Sequence, residues 1–246
     1  MPFSNCYDDT TRAEAYAGLE FANTYYLAFR DLPTILGKHV CGSRAIDFGC
    51  GAGRSTRFLK QCGFDVIGVD IASAMIAKAR LADPSGDYRL IGEGDFSNLE
   101  RATFDLVVSA FTFDNIPGWG KKIKLLRGLA QLLRPEGTIV SIASSPEIYT
   151  HEWASFSTKE YRENATAKSG DVVRITTTDF ADRRPAEDIL WTDAEYLEVY
   201  RRADLDLIAR YKPLATGNEP FPWVNETTIA PWVIYVLTPA VRGPNG

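Results

Sequence analysis

Three glycines at alternate positions, Gly49, Gly51 and Gly53, follow a short apolar run that carries one acid, Asp47. The run is typical of a strand, and residues 54–59 continue in a helical pattern, so the sequence predicts a strand, a tight turn and a helix. Glycine suits such a turn because it adopts positive backbone angles at little cost and lets a ligand approach the main chain. The turn is therefore a predicted binding surface.

A second acid stands at the end of the next predicted strand. Residues 66–69 are apolar and lead to Asp70, and Ser73 is in position to cap the helix that follows. A carboxylate at such a strand end can accept both hydrogen bonds from a ribose diol, and bonds to a charged acceptor are the strong ones. Asp70 therefore predicts a ligand that contains a nucleoside.

The glycine spacing separates two classes of nucleoside ligand. A dinucleotide fingerprint has the form Gly-x-Gly-x-x-Gly, with a third glycine that lets the helix pack close to the strand. Here Arg54 occupies that third place, and the glycine lies one position earlier. The spacing argues against a pyrophosphate ligand. Arg54 and Arg57 put positive charge near a helix N-terminus, which is unfavourable, so we expect both side chains to point to solvent.

The composition is that of an acidic globular chain. Its 246 residues are 45% hydrophobic and 24% charged with a formal net charge of −5, which fits one α/β domain and gives no broad basic field for nucleic acid. No run approaches the roughly 20 apolar residues of a membrane span, and the first residues lack the blocks of a signal peptide. Cysteines 6, 41, 50 and 62 show no metal-type spacing with the two histidines. We expect a cytoplasmic protein with free thiols, no metal, no membrane partner and a small-molecule substrate.

Strands and helices alternate through the middle of the chain. Residues 104–109 are typical of a strand buried on both faces of a parallel sheet, and an amphipathic helix over 123–133 precedes a strand at 138–143. Such alternation predicts a doubly wound sheet. The other predicted elements are a helix at 10–29 and a second one to His39, an exposed strand at 172–177 with a partner at 188–191, a helix from Thr192-Asp193, and strands at 205–211 and 228–237.

Five features, in this order, resemble the class I S-adenosylmethionine-dependent methyltransferases. They are the acid and glycine turn of 47–53, Asp70, the pair Asp95-Phe96, the apolar strand 104–109 and the junction Arg134-Pro135-Glu136-Gly137. The resemblance covers about Asp8 to Pro239 and implies an α/β fold with a doubly wound, mostly parallel seven-stranded sheet that has an antiparallel end. It also implies a single domain, 1–246, with an N-terminal helical lid in 1–40 and a small cap inserted after strand five, in 145–190.

The resemblance further implies which residues hold the cofactor S-adenosylmethionine. The glycine turn would pass under its methionine part, Asp70 would bind the ribose, and Asp95 and the backbone of Phe96 would meet the adenine. The predicted cofactor residues are Tyr16, Asp47, Gly49, Cys50, Gly51, Gly53, Asp70, Ile71, Met75, Asp95, Phe96, Ser109 and Phe111. For Cys50 a plainer interpretation is a small residue that fits the turn, and for Tyr16 it is a helix that packs its rings on the sheet.

Asp114 and His151 are the two candidates for a catalytic base. Many relatives carry a histidine after the fourth strand where this chain has Asp114-Asn115, so Asp114 either deprotonates an acceptor or forms a turn. Histidine is the side-chain type suited to take a proton near neutral pH, and His151 is either a base or a hydrogen-bonded bystander. The acceptor is expected to meet Asn115, Tyr149 and Trp153.

The predicted activity is transfer of the cofactor's methyl group to a nitrogen or oxygen atom of a small molecule by in-line displacement. A non-methylating S-adenosylmethionine-binding protein, or a cyclase, would keep the same nucleoside site. An NAD(P)-dependent oxidoreductase would share the strand, the turn and Asp70. The identity of the acceptor, the attacking atom and the oligomeric state stay open at the level of sequence.

Overall fold

The computed structural model describes residues 18–179 and 181–240, within which there are six α-helices and ten strands. The helices are α1 (Thr24–Phe29), α2 (Leu32–His39), α3 (Arg54–Gln61), α4 (Ser73–Ala82), α5 (Trp119–Ala130) and α6 (Asp193–Arg202). The strands are β1 (Arg44–Phe48), β2 (Asp65–Asp70), β3 (Asp87–Leu90), β4 (Phe104–Ala110), β5 (Leu133–Ser144), β6 (Phe156–Ser157), β7 (Val172–Thr177), β8 (Ala186–Ile189), β9 (Leu205–Tyr211) and β10 (Trp232–Pro239). Single turns of 3₁₀-helix follow β4 and β5, at Thr112–Asn115 and Pro146–Tyr149.

Seven strands form one mixed sheet in the order β3-β2-β1-β4-β5-β10-β9. The five strands from β3 to β5 are parallel, and β10 runs antiparallel to both β5 and β9. The strand order reverses between β1 and β4, and open α/β sheets bind ligands at the carboxyl ends of the strands beside such a reversal. The predicted seven-stranded sheet with an antiparallel end is confirmed.

A second sheet of three strands, β6-β7-β8, lies in the segment between β5 and α6. The predicted strand at 172–177 is confirmed, and its antiparallel partner is Ala186–Ile189 rather than 188–191. We refer to residues 145–190 as the insertion.

The N-terminal helices differ from the prediction. In the described part, 18–23 are not helical, and α1 begins only at Thr24, after Asn23, whose φ is 52°. Pro33 lies in the first turn of α2, where the missing N–H costs no helical hydrogen bond. Tyr16 and residues 10–17 of the predicted first helix lie outside the described residues.

The junction before β5 also differs from the prediction. The helix α5 begins four residues earlier than expected and ends at Ala130, so Pro135-Glu136-Gly137 does not terminate a helix but lies within β5. Leu133 pairs with Phe104, and the register between β4 and β5 shifts immediately afterwards, which is the kind of irregularity that accommodates proline in a strand. The last strand begins at Trp232, because residues 225–229 form a turn in which Thr228 and Ile229 donate backbone N–H groups to Asn225.

Apolar side chains cover both faces of the main sheet. Leu106, Val108 and Val140 share one core with residues of α1 and α2, and Ile46 and Ile139 share the other with residues of α5 and α6. Burial on both faces explains the apolar stretches at 106–108 in β4 and at 139–140 in β5. Among the described residues no helix combines the length and the apolar character that crossing a membrane requires.

Candidate active site

The turn after β1 has the backbone that its glycines predict. The φ angles of Gly49, Gly51 and Gly53 are 74°, 53° and 81°, a region that favours glycine. A Cβ atom on Gly49 would overlap the side chain of Thr112, whose hydroxyl donates to the carbonyl of Phe48 at 3.0 Å. The absence of a side chain at Gly49 therefore lets the turn after β1 approach the turn after β4.

Asp70 fastens this turn to the end of β2. Its Oδ2 accepts from the backbone N–H of Gly51 at 2.8 Å, and its Oδ1 accepts from that of Ala72 at 2.8 Å. The second bond takes the place of the predicted Ser73 cap, because Ser73 is the first helical residue and its side chain makes no cap bond. A carboxylate has about four acceptor positions, and Asp70 lies on the cavity wall.

A cavity of about 420 Å³ opens at the carboxyl ends of β1, β2, β4 and β5, and that volume is within the range of small-molecule sites. One part of its wall, the glycine side, consists of Gly49, Cys50, Gly51, Asp70, Ile71 and Met75. The opposite part, the aromatic side, consists of Tyr25, Phe111, Tyr149, Phe156, Ile175 and Trp232. The two sides differ in chemistry, since one presents main chain and a carboxylate while the other presents rings.

Trp232 is at the centre of the aromatic side. Its ring centroid lies 4.6 Å from Phe111, 5.8 Å from Tyr25 and 5.8 Å from Phe156, and its Nε1 donates to the carbonyl of Thr24 at 2.7 Å. Because β10 is antiparallel, its first residue pairs with Ser144, the last residue of β5. This pairing brings Trp232 to the edge of the sheet where the parallel strands end.

Arg54 does not point to solvent as predicted. Its guanidinium lies 4.7 Å from the centroid of Tyr25 and 5.5 Å from that of Phe29, it donates to the carbonyl of Glu20 at 2.9 Å, and it lines the cavity. Arg57 likewise bonds to protein, donating to the carbonyl of Ala52. Ring faces and carbonyl oxygens attract these cations, which offsets the unfavourable field of the α3 N-terminus.

A family model described as a methyltransferase domain matches residues 46–141 of this chain. That segment is less than half of the chain, and it contains the glycine turn, Asp70 and strands β2, β3 and β4. This part of the chain is therefore similar to a methyltransferase domain.

Two curated relatives are similar to part of this chain, and their names describe transfer to different atoms. A ubiquinone biosynthesis O-methyltransferase of Xanthomonas campestris is 28% identical over 102 residues, which are 40% of this chain and 41% of that protein. A cypemycin N-terminal methyltransferase of a Streptomyces species is 36% identical over 110 residues, 43% of each chain. The chain thus matches about two fifths of the length of each relative.

Solved structures resemble this chain over most of its length. An S-adenosylmethionine-dependent methyltransferase from Clostridium acetobutylicum aligns with a TM-score of 0.62 at 12% identity, covering 96% of this chain and all of that one. The CcbJ methyltransferase from Streptomyces caelestis aligns with a TM-score of 0.60 at 17% identity, covering 87% and 90% of the two chains. At these identities the likeness establishes the fold.

The predicted cofactor residues divide into two groups. Those that line the cavity are Gly49, Cys50, Gly51, Asp70, Ile71, Met75 and Phe111. Those that lie outside its wall are Asp47, Gly53, Asp95, Phe96 and Ser109. Burial raises the pKa of the Cys50 thiol, which agrees with the plainer interpretation of a small residue that fits the turn.

Asp47 lies beneath the turn rather than on the cavity wall. It is fully buried, and its Oδ2 accepts from the hydroxyls of Ser55 and Thr56 at 2.6 Å each. Burial raises the pKa of this carboxyl to about 6, a shift that the two hydroxyl bonds oppose. These two bonds join Asp47, on β1, to the first turn of α3 on the far side of the glycine turn.

Asp95 and Phe96 are displaced from the position that the resemblance implies. Asp95 is exposed and accepts from the backbone N–H of Ser97 at 3.0 Å, while the ring of Phe96 packs 6.0 Å from that of Phe48. The cavity wall contains Glu93 and Gly94 instead. The contact of Asp95 and Phe96 with the adenine stays a prediction.

The structure does not bring Asp114 to the cavity. The side chain is 3% exposed, and it accepts from the hydroxyl of Tyr196 at 2.9 Å and from the backbone N–H of Ser144 at 3.0 Å. The ammonium of Lys122 lies beside it, also fully buried, 4.8 Å from the ring of Trp191. Burial raises the pKa of Asp114 and lowers that of Lys122 to about 7. Asp114 belongs to this buried cluster and not to the wall.

His151 and Trp153 also lie away from the cavity wall. The Nδ1 of His151 bonds to the carbonyl of Glu147 and to the hydroxyl of Thr150, both at 3.1 Å, and Trp153 donates from Nε1 to the carbonyl of Ile148 at 2.9 Å. These contacts are local to the insertion. Of the predicted acceptor residues, Asn115 and Tyr149 do line the cavity.

Sequence reasoning missed part of the aromatic side. It did not single out Tyr25, Ile175 or Trp232 as wall residues. Only Trp232 carried a usable signal, because the first residue of an antiparallel last strand must lie at the carboxyl ends of the parallel ones. The others come together through tertiary packing.

A buried carboxylate, Glu226, ties together the segments above the aromatic side. It accepts from the hydroxyl of Thr24 at 2.6 Å and from the backbone N–H groups of Ala154 and Val224 at 2.7 and 2.8 Å. These partners belong to α1, the insertion and the loop before β10. We refer to this set of bonds as the Glu226 junction.

Proposed function

We propose that this chain transfers the methyl group of S-adenosylmethionine to a nitrogen or oxygen atom of a small molecule. The observation that supports it best is one cavity with two unlike sides, a glycine turn with Asp70 on one and a group of rings on the other. The first side suits the cofactor and the second suits an apolar acceptor. The carboxyl ends of neighbouring strands would hold the two molecules next to each other.

The residues present fit the cofactor. The glycine turn brings the main chain of Gly49 and Gly51 to the cavity wall, and Asp70 offers a carboxylate there that could accept from a ribose diol. Ile71 and Met75 offer apolar surface for the adenine, and Arg54 offers a cation for the carboxylate of the methionine part. The cofactor would supply a methyl group already activated by a positive sulfur.

The protein's part in such a reaction is mainly to hold the reactants. Fixing an acceptor in line with the reacting methyl can lower the barrier by about 7–11 kcal/mol. The rings of Phe111 and Trp232 would orient the acceptor and exclude water, and ring faces also attract a sulfonium cation. The relatives that act on oxygen and on nitrogen match this chain over similar lengths, so they favour neither atom.

Calorimetry with the full chain tests the cofactor assignment. S-adenosylmethionine and S-adenosylhomocysteine are expected to bind, and NADH is expected to give no heat, because the turn lacks the third glycine of a dinucleotide site. Tight binding of NADH together with no heat from either sulfur nucleoside would contradict the proposal.

Product analysis tests the transfer itself. The chain would be incubated with methyl-labelled S-adenosylmethionine and an extract of small metabolites, and the label is expected to appear in an extract component as S-adenosylhomocysteine accumulates. Cofactor binding without any movement of label would favour the alternative, a non-methylating protein or a cyclase that uses the cofactor as a cation.

A further inference from the structure

Tyr149 joins the aromatic side of the cavity to a carboxylate in the insertion. It ends the 3₁₀ turn that follows β5, its side chain is 3% exposed, and it lines the cavity. Its hydroxyl donates to Oδ2 of Asp188 at 3.1 Å. Asp188 is on β8 of the small sheet, opposite Val173 of β7, and part of its surface is exposed.

The position of Tyr149 places it with the acceptor and not with the cofactor. Ser144, five residues earlier, ends β5, pairs with Trp232 and also lines the cavity. The glycine turn and Asp70 follow β1 and β2, on the other side of the strand reversal. A molecule resting against Trp232 and Phe156 would therefore have Tyr149 beside it.

Charged and titratable groups surround the pair on several elements. Lys122 of α5 interacts electrostatically with both Asp188 and Asp114, and Tyr196 of α6 bonds to Asp114. Burial, followed by the charges of Asp188 and Asp114, raises the pKa of the Tyr149 phenol. Tyr149 is thus a neutral phenol at neutral pH, which can pass a proton along but does not hold a negative charge.

We propose that Tyr149 and Asp188 relay the proton of a hydroxyl acceptor, so that the substrate is a phenol or alcohol with an apolar body. The proposal rests on the methyl-transfer function proposed above. As the acceptor oxygen forms its bond to the methyl carbon, the carbon–sulfur bond breaks and the sulfur becomes a neutral thioether. The acceptor's proton passes to Oη of Tyr149, and the proton that Tyr149 held passes to Oδ2 of Asp188.

The charges balance in this step. The positive sulfur and the negative Asp188 carboxylate are replaced by a neutral thioether and a neutral carboxylic acid, and Tyr149 ends as it began. Since Asp188 is partly exposed while Tyr149 is buried, the proton leaves the cavity in the direction of solvent. Tyr149 is the group that touches the acceptor, and Asp188 acts through it.

The test uses two probes with the same ring system, 2-naphthol and 2-naphthylamine, and measures S-adenosylhomocysteine formation. A neutral amine attacks before it loses its proton, so it needs no base, whereas the naphthol does. The variants are Tyr149→Phe and Asp188→Asn. The matched control is Tyr161→Phe, because Tyr161 is in the same insertion and bonds to Thr176 but does not line the cavity.

Tyr149→Phe is expected to lower kcat for 2-naphthol at neutral pH by about 100-fold, the lower range for loss of a general base. KM should stay within about threefold, and naphthylamine turnover should be nearly unchanged. The deficit should shrink as pH rises and the free naphthol ionises. Asp188→Asn keeps the bond to the phenol but cannot take the proton, so it should show the same pattern, and Tyr161→Phe should behave as the parent chain.

Three outcomes would overturn the relay. These are equal loss of naphthol and naphthylamine turnover in both variants, unchanged naphthol turnover, or a parent chain that binds S-adenosylhomocysteine yet does not methylate 2-naphthol. Failure of the chain to bind S-adenosylhomocysteine would instead overturn the cofactor assignment. Thermal unfolding of each variant shows whether it is folded, and Asp188→Asn carries the test if Tyr149→Phe is not.

Discussion

The glycine side and the aromatic side of the cavity are built in different ways. The glycine side comes from one short stretch, 49–75, in which two strand ends and two turns follow each other directly. The aromatic side comes from α1, the turn after β4, the end of β5, the insertion and the start of β10. A local motif can specify the first side, but only the assembled fold specifies the second.

The largest effect is expected where the two sides meet. In Gly49→Ala the new Cβ atom would overlap Thr112, and the positive φ adds a strain of about 1–3 kcal/mol. We expect calorimetry to show S-adenosylhomocysteine affinity reduced about 100-fold. Gly37→Ala in α2, where a Cβ atom meets nothing within 4 Å, should leave the affinity unchanged. Parent-like affinity in Gly49→Ala would mean that the turn does not contact the ligand.

A somewhat smaller effect is expected from Asp70→Asn. The amide keeps one oxygen to accept from Gly51 or Ala72 but loses the charge that would strengthen bonds to a ribose, about 1.5–3 kcal/mol. S-adenosylhomocysteine affinity should therefore fall by about 10- to 100-fold. The control is Asp87→Asn. Asp87 is exposed, pairs with Arg89 and is the first residue of β3, whereas the cavity lies at the carboxyl ends of the strands. Equal losses in the two variants would show a general effect of charge rather than a contact.

On the aromatic side, Ile175→Ala should change selectivity without changing cofactor affinity. The shortened side chain enlarges the acceptor region by a few methylene groups, each worth about 1–3 kcal/mol in discrimination. The ratio of kcat/KM for 6-ethyl-2-naphthol over 2-naphthol should rise by about 10-fold or more. Ile208→Ala, at an exposed site on β9, should leave that ratio unchanged. A large loss of S-adenosylhomocysteine affinity in Ile175→Ala would contradict the division into two sides.

The smallest effect on ligand affinity is expected from Asp47→Asn. Because burial raises the pKa of this carboxyl from 3.8 to about 6, the folded state holds a proton that the unfolded state has released between those values. Its contribution to the free energy of unfolding is fully present below about pH 3.8 and is lost as the pH rises through 6. Denaturant titrations should show a flatter pH dependence over this window in Asp47→Asn. Ligand affinity at neutral pH should change by less than about threefold.

The order of the elements could be predicted because the information is local. Burial on both faces of β4 produces a continuous apolar run, and the glycines and Asp70 mark the turns. The predicted ends of elements were wrong where strand pairing overrides the local preference of the residues. In β5, for example, Leu133 pairs with Phe104 although Pro135 follows. A residue's preference for helix or strand is weak compared with a strand partner supplied by another part of the chain.

The positions of the two predicted bases could not be read from the sequence for a related reason. Asp114 is a polar residue in the turn after β4, and its sequence does not reveal that Tyr196, 82 positions later, and Lys122 enclose it. His151 bonds within its own turn and does not line the cavity. The sequence shows which side chains are acidic or basic, but it does not show which way they point in the fold.

The Glu226 junction sets a limit on redesigning this enzyme. One carboxylate bonds to α1, the insertion and the loop before β10, so three segments around the aromatic side share a buried charged acceptor. Exchanging residues 145–190 with those of another enzyme would leave Thr24 and Glu226 facing a foreign backbone, with a buried charge short of donors. A transplant that alters acceptor choice therefore has to carry residues 18–30 and 214–232 along with the insertion.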